Sequence, residues 1–148
     1  MTKEMIRIAN CSGFYGDKLS VAKDMVEGGP IDVLTGDYLA ELTMTILYNQ
    51  KIKRGEDHGY VGTFLKQFKD VAKSTQEKNI KIVSNAGGLN PKAMALEVEK
   101  IIDELNLKLK VAYIEGDDLI PEFQKLSEAG EKFKNLKLFS AFRTMNFE

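Results

Sequence analysis

The chain has 148 residues, of which 43% are hydrophobic and 29% charged, and its net charge is −1. These values are typical of one folded domain, and the interleaved charges lack the basic patch that nucleic acid or an anionic membrane requires. The only cysteine, Cys11, cannot form an internal disulfide, no signal-peptide pattern precedes it, and no apolar run approaches the roughly 20 residues that cross a bilayer. We therefore expect a cytoplasmic protein that binds neither nucleic acid nor membrane.

Short apolar runs predict four β-strands, and helical periodicity predicts helices between them. In chain order, the pattern predicts a strand at 5–9, a helix at 17–27, a strand at 31–34, helices at 38–54 and 60–78, a strand at 80–83, a helix at 91–105, a strand at 110–114, and a helix from 117 or 118 to 129. This alternation predicts an α/β fold, a three-layer Rossmann-like parallel sheet with helices on both faces.

The end of the chain follows a weaker pattern. Residues 1–130 form the predicted α/β domain, whereas 131–148 contain apolar residues without a clean period. A four-stranded parallel sheet also leaves edge strands and apolar faces that need covering. We expect a homo-oligomer contact or a partner chain to cover the sheet edge.

A small, polar or acidic cluster follows each predicted strand, and the carboxyl ends of parallel strands meet at one edge, where such folds bind ligands. In the loop 84–91, Gly87 and Gly88 let the backbone approach a ligand, and Asn85 and Asn90 suit an anionic or carbonyl oxygen. A tight turn explains the glycines equally well. Neither the dinucleotide-binding nor the P-loop pattern is present.

The loop after the first strand adds Asn10, Ser12 and Gly13 to the predicted substrate-binding residues. Cys11 lies among them without a neighbouring base in the sequence, so we expect a buried thiol and not a nucleophile. His58, the only histidine, lies in a predicted turn, where we expect it to face solvent.

Carboxylates at the strand ends are the candidate catalytic groups. Asp37, Asp117 and Asp118 suit a general acid, a general base or a ligand of a hard cation such as Mg²⁺. Each also precedes a predicted helix, where capping accounts for an acidic residue. Both interpretations stay open, and the sequence leaves the metal and any other cofactor unknown. Tyr38, beside Asp37, is expected to pack.

Four motifs carry a resemblance to a known family: IANCSGFYGD at 8–17, GGPIDVLTGDYLAELTM at 28–44, KIVSNAGGLNP at 81–91 and EGDDL at 115–119. In this order they resemble the amino-terminal part of the acyclic terpene utilisation protein A (AtuA) family. Family members are longer, and the sequence departs from the family pattern after Gly130, as a truncated or frameshifted reading frame would.

The resemblance implies a metabolic protein of acyclic terpene (isoprenoid) catabolism, a pathway that runs through coenzyme A thioesters. We expect a small acyl-CoA or organic-acid substrate in a polar, glycine-rich cleft at the strand carboxyl ends. Two alternatives stay open: a non-catalytic ligand-binding or subunit-assembly domain, and an inactive fragment of a longer enzyme.

Overall fold

The structure is a computed structural model that describes residues 5–119 and 122–132. The chain divides into two units, residues 1–114 and 115–148. In the first unit the elements follow the order β1 (Ile8–Asn10), α1 (Val21–Gly28), β2 (Val33–Gly36), α2 (Glu41–Arg54), α3 (Gly62–Glu77), β3 (Lys81–Ser84) and α4 (Pro91–Glu104). The second unit contains α5 (Phe123–Glu128).

The three strands form one parallel sheet in the order β1-β2-β3. Ile8 pairs with Val33, and Val33 pairs with Lys81. Because all three strands run in the same direction, the loops that follow them emerge at one edge of the sheet.

Helices pack on one face of this sheet. Leu34 of β2 contacts α1 residues in one buried cluster, and Ile82 of β3 packs against both this cluster and a second one. The second cluster joins residues of α2, α3 and α4 to the loops beyond β2 and β3; it contains Tyr38, Leu47, Val61, Phe64, Phe68, Ala72, Ala86, Val98 and Ile102. The helices therefore share a continuous apolar core with the inward side of the strands.

The opposite face of the sheet is open within the described residues. Ile8 is 66% exposed and Val83 is 61% exposed. Along each strand, residues that face the helices alternate with residues that face the open side, as strand geometry requires, and Ile8 and Val83 belong to the open side. No described helix buries these two side chains.

The predicted α/β, Rossmann-like fold with a parallel sheet is confirmed. Among the described residues the sheet has three strands instead of four, and helices cover one of its faces, whereas the three-layer prediction placed helices on both. The strand predicted at 110–114 is wrong: these residues form no strand, although Leu107, Leu109 and Val111 pack against the second cluster. Their side chains make core contacts, but the backbone makes no ladder with β3. The division at residue 130 stays a prediction, and residues 133–148 of the expected tail lie outside the described part of the chain.

Candidate functional site

Loops from all three strands meet through hydrogen bonds at the carboxyl edge of the sheet. The Asn85 side chain, just beyond β3, links this loop to the one after β2: its Nδ2 donates to Asp37 Oδ1 at 2.7 Å, and its Oδ1 accepts from the Tyr38 amide at 2.9 Å. The Asp37 amide in turn donates to the Ser12 carbonyl at 2.9 Å, in the loop after β1. The structure therefore brings Asp37, Asn85 and Ser12 together at this edge, where the sequence predicted that the loops after the strands emerge.

Asp37 presents one bound and one open carboxylate oxygen. Its Oδ1 accepts from Asn85 and, at 3.3 Å, from the Leu39 amide. Among the described residues, Oδ2 accepts no hydrogen bond, and the side chain is exposed. Helix α2 begins four residues later, at Glu41, with Ala40 at its N-cap. Asp37 is therefore not the cap of this helix, and its carboxylate is fixed at a site open to solvent.

Asn10 and Ser12 extend the hydrogen-bonded edge across β1. Asn10 Nδ2 donates to the Ser12 carbonyl at 2.9 Å, and Asn10 Oδ1 accepts from the Thr35 hydroxyl at 3.2 Å. The Ser12 hydroxyl is buried and donates to the Phe14 carbonyl at 3.0 Å, so it holds the loop instead of facing a ligand. The exposed Gly13 amide donates to Asp17 Oδ2 at 3.1 Å.

Tyr38 forms the buried support of this edge, which agrees with the expectation that it packs. Its side chain is 2% exposed, its hydroxyl donates to Gln67 Oε1, and its ring packs edge-on against Phe64 at 6.1 Å. Burial raises the pKa of this phenol. A Cβ at Gly36 would lie 2.7 Å from the ring. The Gly-Asp-Tyr order was the available signal, because only glycine leaves room for the ring to turn back under the strand.

The glycines of the loop 84–91 serve packing. A Cβ at Gly87 would lie 2.7 Å from Pro91 Cβ, and one at Gly88 would lie 2.4 Å from Leu47 Cδ1. Gly88 also has a φ of +53°. Positive φ and close packing therefore account for Gly88, and close packing against Pro91 accounts for Gly87. The substrate-binding role of both residues stays a prediction.

Asn90 has a structural role at the start of α4. Its Oδ1 accepts from the Ala93 amide at 3.1 Å as an N-cap, and its Nδ2 donates to the carbonyls of Glu56 and His58 at 2.6 and 3.1 Å. The two bonds from Nδ2 hold the turn between α2 and α3 against α4. As a result, His58 is partly buried and does not face solvent as expected, and its Nδ1 has no hydrogen-bond partner among the described residues.

Cys11 is buried, as predicted. Its thiol lies 4.0 Å from the Tyr38 hydroxyl, and burial raises its pKa. A nucleophilic cysteine needs the opposite shift, so this thiol is part of the core.

Asp117 and Asp118 are exposed residues of the second unit. Helix α5 begins at Phe123 with Glu122 at the N-cap, so neither aspartate caps it. Their catalytic role stays a prediction. The described part of the chain contains no group of three or more histidine, cysteine or acidic side chains that could hold a metal ion.

The family model of the acyclic terpene utilisation family protein AtuA matches residues 6–147 of the chain. The chain belongs to the AtuA family. The AtuA match continues past Gly130, where the motifs suggested that the family pattern ends. Neither the curated proteins nor the solved structures contain a match. Within the described residues of this AtuA chain, no helix has the length and apolar character to span a membrane.

Proposed function

We propose that this chain acts in acyclic terpene utilisation by binding a small organic acid or acyl-CoA thioester at the carboxyl edge of its sheet, in the cytoplasm. In this proposal Asp37 transfers a proton to or from the bound substrate, and Asn85 holds the Asp37 carboxylate in position. The family match supports the metabolic role, and the Asp37–Asn85 pair supports the location.

One observation carries the proposal: the Asp37 carboxylate is held at Oδ1 by Asn85 and Leu39 while Oδ2 has no partner in the described residues. A general acid or base must combine a fixed orientation with an open proton-accepting atom within hydrogen-bond reach of the substrate. The hydrogen bonds to Oδ1 of Asp37 fix the orientation of the carboxylate, and Oδ2 stays open to exchange a proton with the substrate. A helix cap, by contrast, has its carboxylate occupied by the amides of the following turn.

Thermal unfolding of the 148-residue chain with separate additions of acyl-CoA thioesters, branched short-chain acids and Mg²⁺ tests ligand binding. A ligand that binds only the folded state at 100 times its Kd adds about 2.7 kcal/mol to the free energy of unfolding. We expect one thioester or acid to raise the midpoint. If every thioester and acid leaves it unchanged, the proposal is wrong.

The variant Asp37→Asn tests proton transfer once a ligand is found, because it keeps the shape of the side chain and removes the basic oxygen. We expect turnover to fall by about a hundredfold or more while binding persists. Asp70→Asn is the matched control, since Asp70 is an exposed aspartate on α3 away from the strand ends. Binding without turnover in the parent chain would favour the non-catalytic ligand-binding domain.

A further inference from the structure

The carboxyl end of α2 carries an exposed patch that is basic and partly apolar. Lys53 and Arg54 are exposed, have no ion pair among the described residues, and flank Ile52, which is 63% exposed. The neighbouring Lys51 pairs with Glu56 at 3.0 Å and adds no net charge. We call residues 52–54 the basic knob.

A shallow acidic depression of about 400 Å³ lies on the outer side of α4. Leu96, which is 51% exposed, lines it together with one lysine and four carboxylates. These charged residues are Lys100, Asp57, Glu97, Glu99 and Asp103.

The depression carries a net negative charge. The single lysine, Lys100, already pairs with Glu97, so Asp57, Glu99 and Asp103 remain unbalanced. The negative charge also acts on Tyr60. Burial is the largest cause of the raised pKa of this phenol, and the charge of Glu97 is the second. A cationic group entering the depression would therefore be attracted.

The knob and the depression are neighbours on one surface. Asp57, which lines the depression, follows Arg54 by three residues, and the turn between them is tied to α4 through the Asn90 hydrogen bonds to Glu56 and His58. Each patch has an exposed apolar side chain among charged residues, and the net charges of the two patches have opposite signs.

We infer that this surface is the interface of a two-fold homodimer, in which the basic knob of each copy enters the acidic depression of the other. The basic knob and the acidic depression lie side by side on one surface, so two copies related by a two-fold axis can each place the knob in the other's depression. Such a self-complementary surface is the requirement for an isologous contact. Opposite charges at the rim select the register, and Ile52 and Leu96 supply apolar contact. The inference is independent of the proposed function.

Sedimentation velocity over a range of protein concentrations tests the inference, with two charge-reversed variants. The knob variant is Lys53→Glu with Arg54→Glu, and the depression variant is Glu99→Lys with Asp103→Lys. Each variant alone places like charges against each other, so we expect its dimer to be weaker by about tenfold or more. In a mixture, the acidic knob meets the basic depression and the basic knob meets the unchanged acidic depression, so a heterodimer should form.

The control variant, Lys23→Glu with Lys73→Glu, changes the net charge equally with the knob variant but lies on α1 and α3. It should dimerise like the parent chain. We expect the parent dimer to weaken between about 0.1 and 1 M salt, over which the Debye length falls from about 10 to 3 Å. A parent chain that stays monomeric together with a mixture that does not associate would overturn the inference, and so would a dimer unaffected by both reversals.

Discussion

Replacing Gly88 with alanine tests whether the glycine-rich loop exists for packing. The φ of Gly88 is +53°, which an alanine adopts at a cost of about 1–2 kcal/mol. The added methyl would lie 2.4 Å from Leu47 Cδ1 and 2.9 Å from the Gly59 carbonyl oxygen. Leu47 is fully buried, and the Gly59 carbonyl accepts from the Leu89 amide at 2.8 Å, so neither neighbour moves freely. Overpacking of this kind costs about 1–3 kcal/mol.

The two costs together predict that Gly88→Ala lowers the free energy of unfolding by about 3 kcal/mol, with a range of about 2–5 kcal/mol. Two other glycines separate the contributions. At Gly16 the φ is +101° but nothing lies within 4 Å of an added Cβ, so Gly16→Ala should show backbone strain alone, about 1–3 kcal/mol. Gly13 has neither a positive φ nor a neighbour within 4 Å, so Gly13→Ala should stay within about 0.5 kcal/mol of the parent.

Urea denaturation followed by far-ultraviolet circular dichroism measures all three values, with the slope compared between variants to check that the unfolding reaction is the same. The expected order of stability is Gly13→Ala, Gly16→Ala, Gly88→Ala, from highest to lowest. A Gly88→Ala chain within about 0.5 kcal/mol of the parent would refute the packing explanation. The glycines of the loop 84–91 would then be free to serve ligand binding.

Three further predictions concern individual side chains. Asn90→Ala should lower the free energy of unfolding by about 2 kcal/mol in urea, because it removes an N-cap and the bonds to two carbonyls; an unchanged midpoint contradicts this. Arg7 lowers the pKa of Asp32 to about 2, so the stability from this pair is complete above the unfolded pKa of about 3.9 and is lost as pH falls towards 2. Asp32→Asn should therefore lose less stability than the parent between about pH 4 and 2 in acid titrations followed by circular dichroism. Finally, Cys11 should react with a disulfide reagent at pH 8 far more slowly in the native chain than in urea, since burial shields the thiol and raises its pKa; equal rates would place the thiol at the surface.

Local signals predicted the helices better than the strands. Helix α4 begins at Pro91, as predicted, because the Asn-Pro pair supplies both a cap and a first-turn proline. Strand β2 was predicted at 31–34 but spans Val33–Gly36. Asp32 is instead held by Arg7, whose amide and guanidinium both donate to its carboxylate. Arg7 and Asp32 are 25 positions apart in the sequence, so the pattern of apolar residues within the strand could not predict their pairing.

The site was predictable as far as topology determines it. Parallel strands bring Asp37 and Asn85 to one edge, and both were identified from their positions after apolar runs. Their direct hydrogen bond and the support from Tyr38 depend on side-chain geometry between distant segments. The roles of Gly88 and Asn90 were similarly hidden, because Leu47 and Glu56, their partners, belong to another part of the chain.

The open face of the sheet bears directly on the candidate site. Asp37 and Asn85 lie one residue beyond the ends of β2 and β3, and Val83, two residues before Asn85, is exposed on the open face. Parallel sheets are almost always covered on both faces. A cover over Val83 would border Asp37, exclude water from it and strengthen its interactions with a bound substrate, since charges interact more strongly where the dielectric is low. The expected partner at the sheet and the proposed proton transfer are therefore linked: whatever covers this face should also raise the affinity at the carboxyl edge.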